Sequence, residues 1–427
     1  MHSMMKISDQ ELKIFVYPFP ENIYRPNYNT CTLHFHAERE IPKYVLSTHT
    51  FTNNSDEADF FLIPHDTSCI ILEAQYNITV LRYLNRVLAR RHLIPILREV
   101  VQRYPFFNRS GGADHLFVMT YDHGPYESFR PNIRYLIDTL ENATMLLNFG
   151  SVIGRWMNEK GSRNPKDDIV IPQFHDFRPC VPWKKKRVSQ NLIMAFKPLD
   201  IFFKGDFNNG PLWHGIRNVL RPQPNDSQLL FVSGNSSTAV YSVIGNAYFS
   251  LCPSGHAPWS VRLYDAIQQN TVPVLLANGI ILPFEKFINW ELFTVKFDSS
   301  AIINGNRSYF LSILHDKATE YRHWITNKTD NKFYDKEPYL FRKMKFVEQA
   351  YHWLHWKSPS LCQSLSKDEE KNIWSLLKLE LWCKSRLRLL SNQQHHSLSV
   401  KTSIANYTLV QLFCRRSYKT AYKNEYL

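Results

Sequence analysis

The 427-residue chain contains no run of the roughly eighteen to twenty apolar residues that a bilayer-spanning helix needs, so no membrane span is legible in it. Its first residues, MHSMMKISDQ, lack the apolar core of a signal peptide. The seven cysteines (Cys31, Cys69, Cys180, Cys252, Cys362, Cys383 and Cys414) form no CxxC pair and no zinc-ligand spacing, which excludes the common zinc modules. Charged residues make up only 21% and hydrophobic ones 44%, a balance that argues against disorder. A nucleic-acid-binding motif is also missing. The formal net charge of +13 is spread along the chain, apart from the run Lys184-Lys185-Lys186-Arg187. Such a surplus favours an anionic small ligand or an acidic polymer over RNA or DNA.

What is present is alternation. Apolar runs at Phe60 to Pro64, Leu116 to Thr120, Met145 to Phe149 and Ile169 to Pro172 read as buried strands, with helices over Val80 to Arg103 and Asn132 to Glu141 between them. His175 to Asn191, with its prolines and basic run, breaks the pattern as a linker would. A second set of strands follows at Ile201 to Lys204, Leu229 to Ser233, Tyr248 to Leu251, Val272 to Leu276 and Phe293 to Phe297. Residues 307 to 356 read as helical, their aromatic stripe serving packing. A further helix is expected over Lys367 to Leu390. The expected organisation is an α/β unit over 1–175, a linker over 176–194, a second α/β unit over 195–356 and a helical or irregular extension over 357–427.

The densest signal is Tyr248 to Phe284, a strand, a Pro253-Ser254-Gly255 loop, an amphipathic helix from Ser260 and a second buried strand. Ser260, Arg262 and Asp265 fall at the start of that helix. A hydroxyl and an arginine there suit a phosphate, and a carboxylate one turn on can take ribose hydroxyls. The pattern S-G-x4-S-x-R-x2-D-A, then V-P-V, LPF and Asn-Trp, resembles the exostosin-like family of inverting glycosyltransferases. Four other blocks resemble that family in the same order: LKIFVYPFP from Leu12, EADFFLIPHDTSC from Glu57, YPFFNRSGGADHLFVMTYDHG from Tyr104 and DIVIPQF from Asp168. Asp265 stands where the family usually has Glu, and Asn270-Thr271 where it often has Gly-Cys.

The resemblance implies a GT-B fold, two Rossmann-like domains facing a central cleft, and transfer of a sugar from a UDP-sugar to a growing polysaccharide or glycoprotein glycan. It implies no cofactor beyond the donor and no metal, in keeping with Asp167-Asp168 being an adjacent pair and not an Asp-x-Asp. Lys204-Gly205 and Arg217 match family segments, and with Ser254, Gly255, Ser260, Arg262 and Asp265 they form the expected nucleotide-sugar site. Asp122, with His123 second, is the expected catalytic base, since both follow a strand at its carboxyl end. His65 and Asp66 occupy the analogous edge and are expected to hold acceptor sugars. Asp114 and His115 precede their strand, and a structural role as buried groups bonded to the Gly111-Gly112 turn is at least as good a reading of that pair as a catalytic one.

Nine Asn-x-Ser/Thr triplets, starting at Asn53, Asn77, Asn108, Asn142, Asn225, Asn235, Asn306, Asn327 and Asn406, exceed the few expected by chance and point to a lumenal chain. In such a compartment some cysteines pair and the odd count leaves one over. Cys31 with Cys69 is the first pairing to test, with buried free thiols as the alternative. By resemblance the protein is a Golgi type II membrane protein whose N-terminal anchor is not visible in this sequence. It is expected to associate with itself or with related glycosyltransferases. The alternative function is an inactive partner subunit of a polysaccharide synthase.

Overall fold

The computed structural model describes residues 11–29, 31, 35–121, 139–151, 168–174, 196–207, 215–224, 226, 229–232, 243–255, 258–328, 337–354, 373–393 and 414. The chain divides into two compact units. The first comprises Met1–Pro179, Ile281–Ile288 and Trp356–Lys423; the second comprises Cys180–Ile280, Asn289–His355 and Asn424–Leu427.

In the first unit, β1 (Ile14–Val16), β2 (Phe60–Ile63), β3 (His115–Met119), β4 (Thr144–Leu147) and β5 (Ile169–Val170) form one sheet in that order, every pairing parallel. All four residues of β2 and all five of β3 are buried. That is why these strands read as unbroken apolar runs: helices cover both faces of such a sheet. One face carries Phe61, Ile63, Phe117, Met119 and Met145 into a core with Ile70 of α2 (Thr67–Tyr76), followed by Leu88, Leu93 and Leu97. The expected long helix is broken. Over Val80 to Arg103 it runs as most of α3 (Ile78–Arg86), kinked at Tyr83, then π-helical turns over Val87–Leu93 and Glu99–Arg103 with an α-helical turn, Ile94–Arg98, between them.

The other face, with Leu62, Leu116 and Leu146, meets α1 (Ala37–Leu46) and a helix from the far end of the chain, Ile373–Gln393. In that helix Trp374 stacks flat on Tyr44 at 3.4 Å, Ser385 donates to Asp59 at 2.6 Å, and Lys286 and Glu380 form an ion pair at 2.6 Å. The segment expected to stand apart as an extension thus supplies a layer of the first unit, because Trp374, Leu377 and Leu381 have apolar surface to bury against the sheet.

In the second unit, β6 (Leu199–Lys204), β7 (Leu229–Val232), β8 (Ala247–Pro253), β9 (Val272–Leu276) and β10 (Val295–Lys296) form a parallel sheet in the order β10-β9-β8-β6-β7. The chain steps one way from β6 to β7 and then returns past β6 to lay down β8. The strand order therefore reverses between β6 and β8. Around this sheet lie α4 (Arg262–Gln268), α5 (Arg307–Lys328) and α6 (Tyr339–Leu354). Tyr321 of α5 is fully buried and meets Tyr248 edge-on at 5.4 Å, so the aromatic stripe is packing. Both units are Rossmann-like, the make-up of a GT-B chain.

Cys31 and Cys69 are bonded, as are Cys383 and Cys414, a pairing that nothing in the spacing announced. Cys252 is free and buried in β8. Cys180 and Cys362 lie outside the described residues, as do the linker His175 to Asn191 and most of the helix expected over Asn132 to Glu141.

Candidate functional site

Open parallel sheets bind ligands at the carboxyl ends of the strands where the strand order reverses, because neighbouring loops diverge there. In the second unit that point lies between β6, ending in Lys204-Gly205, and β8, ending in Pro253-Ser254-Gly255. Two arginines reach it. Arg262, the first residue of α4, donates from Nε to the Lys204 carbonyl and from Nη1 to Ser260 Oγ at 2.7 Å, and its guanidinium lies 5.2 Å from the Phe203 ring centroid. Arg217, in the short helix Ile216–Val219, donates from Nε to the Ser254 carbonyl at 2.9 Å and from Nη1 to the Asp206 carbonyl at 3.3 Å.

The two loop glycines are there for room. A Cβ on Gly205 would stand 2.5 Å from Arg262 Nη2, and one on Gly255 would run into Arg217 Nη2. Neither position has a positive φ; each is small so that a guanidinium can lie across the backbone.

Burial pushes Arg217 down to about 10, and the neighbouring Arg262 charge adds to that shift. Burial likewise lowers Arg262, against the smaller opposing influence of Cys252 and Asp265. Their hydrogen bonds go to carbonyls and a hydroxyl, and neither makes an ion pair with a carboxylate among the described residues. Two partly desolvated cations of like charge, hydrogen-bonded to neutral groups and only partly offset by the Asp206 and Asp265 charges, are stabilised by an anion that reaches both.

The helix begins at Arg262, later than the expected start at Ser260, because Ser260 Oγ accepts from the Arg262 backbone N at 3.3 Å and makes a turn of that stretch. A seven-residue helix contributes little dipole, so the positive character comes from the side chains. Asp265 is 8% exposed within its first turn. The structure therefore gathers Lys204, Gly205, Arg217, Ser254, Gly255, Ser260, Arg262 and Asp265 around one loop cluster.

The carboxyl ends of the first sheet are built differently. His65 and Asp66 follow β2 and are only 1% and 3% exposed. His65 lies flat on Phe117 at 3.9 Å, and its Nδ1 accepts from Thr67 N at 3.3 Å. Asp66 Oδ2 accepts from the Tyr28 hydroxyl at 2.7 Å, and its backbone N donates to His92 Nε2 at 2.8 Å. His92 in turn faces the Tyr24 carbonyl through Nδ1 at 2.8 Å and is held neutral by burial, its pKa down to about 4. The two residues expected to hold acceptor sugars are thus buried frame groups that fix the loop leaving β2, drawn inward by the aromatic packing of His65 and the bond from Tyr28.

At the centre of this frame is Glu38 of α1, a residue that sequence reasoning missed. It accepts from Ser68 N at 2.8 Å, from Ser68 Oγ, and from Thr120 N at 3.3 Å, and lies 3.5 Å from His65 Nδ1. Burial pushes its carboxyl up to about 8. Glu38 falls outside every strand, helix and motif read from the sequence, lying between the blocks that begin at Leu12 and at Glu57.

Asp122 and His123 lie outside the described residues, which stop at Tyr121 in that loop. Asp114 accepts from Ser110 Oγ, from Arg109 at 3.3 Å and from His115 Nδ1 at 2.8 Å, while His115 Nε2 meets the Tyr17 hydroxyl at 2.8 Å. The His115 backbone N donates to the Gly112 carbonyl at 2.9 Å, so this pair braces the turn before β3.

Residues 8–309 match the Exostosin GT47 domain. The chain belongs to the exostosin family of glycosyltransferases. A probable beta-1,4-xylosyltransferase of Arabidopsis thaliana, IRX10L, is 31% identical over 296 residues, which is 66% of this chain and 66% of that protein. A probable glucuronosyltransferase of Oryza sativa subsp. japonica is 31% identical over 296 residues, 66% of this chain and 65% of the other. The match thus spans about two thirds of each relative's length. Among solved structures, Anabaena Alr3699/HepE in complex with UDP-glucose aligns with 89% of this chain and 100% of its own at 9% identity and a TM-score of 0.35, a likeness too slight to bear on the site.

Proposed function

We propose that this protein is an inverting glycosyltransferase that moves a sugar from a UDP-sugar to a growing polysaccharide or glycoprotein glycan. The observation that carries the reading is the pair Arg217 and Arg262, two partly buried guanidiniums whose hydrogen bonds go to carbonyls and a hydroxyl, at the strand-order reversal of the second unit. Inversion requires the acceptor hydroxyl to attack the anomeric carbon from the face opposite the nucleotide. The new C–O bond forms as the bond to the diphosphate breaks, and the negative charge that develops there is neutralised by Arg217, Arg262 and Lys204. Gly205 and Gly255 let the two guanidiniums lie across the backbone where they can meet the diphosphate, Ser254 and Ser260 offer hydroxyls, and Asp265 takes the ribose. The acceptor proton passes to Asp122, with His123 as the second choice, in the loop after β3.

With three cationic groups serving the leaving group and no Asp-x-Asp motif in the sequence, transfer proceeds without a metal. Two disulfides among the described residues favour an oxidising lumen, in keeping with a Golgi type II protein acting in polysaccharide biosynthesis, such as that of a cell wall. UDP-xylose and UDP-glucuronate are the first donors to test, given the names of the relatives. The decisive assay supplies a UDP-sugar panel with oligosaccharide acceptors in excess EDTA and reads the anomeric configuration of the product by NMR. An inverted product is expected. Retention of configuration, or activity that vanishes on chelation and returns with manganese, would overturn the mechanism.

A further inference from the structure

Nine large hydrophobic side chains stand exposed among the described residues, and four of them, Tyr76, Ile78, Leu81 and Tyr83, fall within eight consecutive positions, at 71%, 66%, 55% and 50% exposure. They cover the end of α2 and the length of α3. Asn77 sits between the first two and opens an Asn-Ile-Thr triplet. Its own exposed side chain caps α3: Oδ1 accepts from Thr79 N at 3.0 Å and from Val80 N at 3.3 Å. The amide nitrogen makes no hydrogen bond among the described residues. Asn142, another triplet asparagine, is different, because its Nδ2 already donates to the Gly111 carbonyl at 3.1 Å.

We propose that Asn77 carries an N-linked glycan and that this glycan covers the apolar patch formed by Tyr76, Ile78, Leu81 and Tyr83. The proposal rests on the lumenal reading of the chain. In the transfer, the Asn77 Nδ2 forms a bond to the anomeric carbon of an oligosaccharide carried on a lipid diphosphate. The bond from that carbon to the diphosphate oxygen breaks, the lipid diphosphate leaves, and one amide proton is released.

Because the cap uses only the oxygen, modification of the nitrogen leaves both backbone bonds of α3 in place. The exposed side chains then have a solvating cover tethered between Tyr76 and Ile78. Sugar rings present C–H faces that pack on tyrosine rings and hydroxyls that face water, and Tyr76 and Tyr83 flank the attachment point along the sequence. An uncovered cluster of this kind on a secreted chain is an association liability, which a bulky hydrophilic group suppresses. A protein partner is the competing occupant, and it does not account for an acceptor triplet at the middle of the patch.

The test is to secrete the chain from a glycosylating eukaryotic host and map site occupancy by mass spectrometry after enzymatic deglycosylation in heavy-oxygen water. Asn77 is expected to be modified. Thr79→Ala removes the triplet yet keeps Asn77 and its cap, so it is expected to lose one glycan in mass and to bind an apolar dye about twofold more strongly, with greater self-association. Asn53→Gln, which removes an exposed triplet elsewhere, is expected to lose a glycan without raising dye binding. Occupancy at other triplets with Asn77 bare would overturn the proposal and leave the lumenal reading standing. No occupancy anywhere would overturn both. A Thr79→Ala protein with unchanged dye binding would show that the glycan does not cover the patch.

Discussion

The carboxyl ends of the two sheets are loop clusters of the same kind, set over parallel strands, and they settle their charges in opposite ways. After β2 and β3 the buried groups answer one another: Glu38 takes bonds from Ser68 and Thr120, Asp66 from Tyr28, and His92 from the Asp66 backbone. After β6 and β8 two guanidiniums share a partly dry space with carbonyls, a hydroxyl and each other. A network with most of its polar atoms answered, His65 Nε2 and Thr67 Oγ1 apart, holds loops in place, whereas a cluster with charge only partly answered is poised to take a ligand. On this contrast the donor diphosphate proposed above is assigned to the second unit, where the charge is. The proposed base follows β3 in the sequence of the first.

The largest effect should come from the loop that the frame carries. Asp122→Asn keeps the shape and removes the basicity, so transfer is expected to fall roughly a hundredfold or more with UDP affinity little changed. Single-turnover kinetics alongside UDP titration would separate the two. Near-normal turnover would move the base to His123 and leave Asp122 as part of the frame.

Next in size is the donor cluster. Arg262→Ala or Arg217→Ala is expected to weaken UDP binding by about 1.5–3 kcal/mol, the scale of a hydrogen bond to a charged group. Calorimetric titration gives this directly. Thermal stability should move little, because each arginine's removal also relieves repulsion on the other. A variant that unfolds yet binds UDP normally when folded would place these arginines with the frame groups and erase the contrast.

Asp114→Asn probes a frame group whose structural role was one of the two readings that its place before β3 allowed. Burial alone would raise its carboxyl, but the bonds from His115, Ser110 and Arg109 hold it down to about 2. Its contribution is therefore present above the ordinary carboxylate range and is lost as pH falls through about 2. The substitution is expected to cost about 2 kcal/mol at neutral pH, read by chemical denaturation, with UDP affinity intact.

The strands were legible because local signals carry them, and the motifs named the residues that meet at the ends of β6 and β8. Val272–Leu276 matches its expected bounds, and most other strands end within a residue or two of theirs, since doubly covered parallel strands are bare apolar runs stopped by glycine or proline. What stayed hidden depends on residues distant in sequence. Gly205 and Gly255 read as nucleotide-sugar site residues, and nothing in the sequence shows that each makes room for an arginine, 57 and 38 positions away. Lys197 looks like a surface lysine, yet it donates to the Ala247 and Asn270 carbonyls at 3.0 and 2.8 Å, with burial pushing its amine down to about 7. The helix Ile373–Gln393 carried no sign of its partner, which begins at Ile14 near the other end of the chain.

The smallest step, read one pH unit at a time, should come from Glu38. Its partners are a backbone N–H and hydroxyl of Ser68 and the N–H of Thr120, with His65 close by and the Asp66 charge opposing ionisation. His65 gives no positive charge to compensate, because burial holds its pKa well below the ordinary histidine value. The folded chain therefore favours the protonated acid, whereas the unfolded chain ionises at the ordinary value near 4.5. The stability tied to this group is complete below that ordinary value and is lost as pH rises through about 8. Between these limits wild type should lose stability relative to Glu38→Gln by at most about 1.4 kcal/mol per pH unit. Denaturant titrations of both proteins from pH 5 to 9 measure the difference curve, which cancels every other titrating group that the substitution leaves alone. A flat difference would mean that Glu38 is ionised in the folded chain. The first unit's loop cluster would then also hold a buried charge in need of a counterion, and the contrast with the donor cluster would fail at its centre.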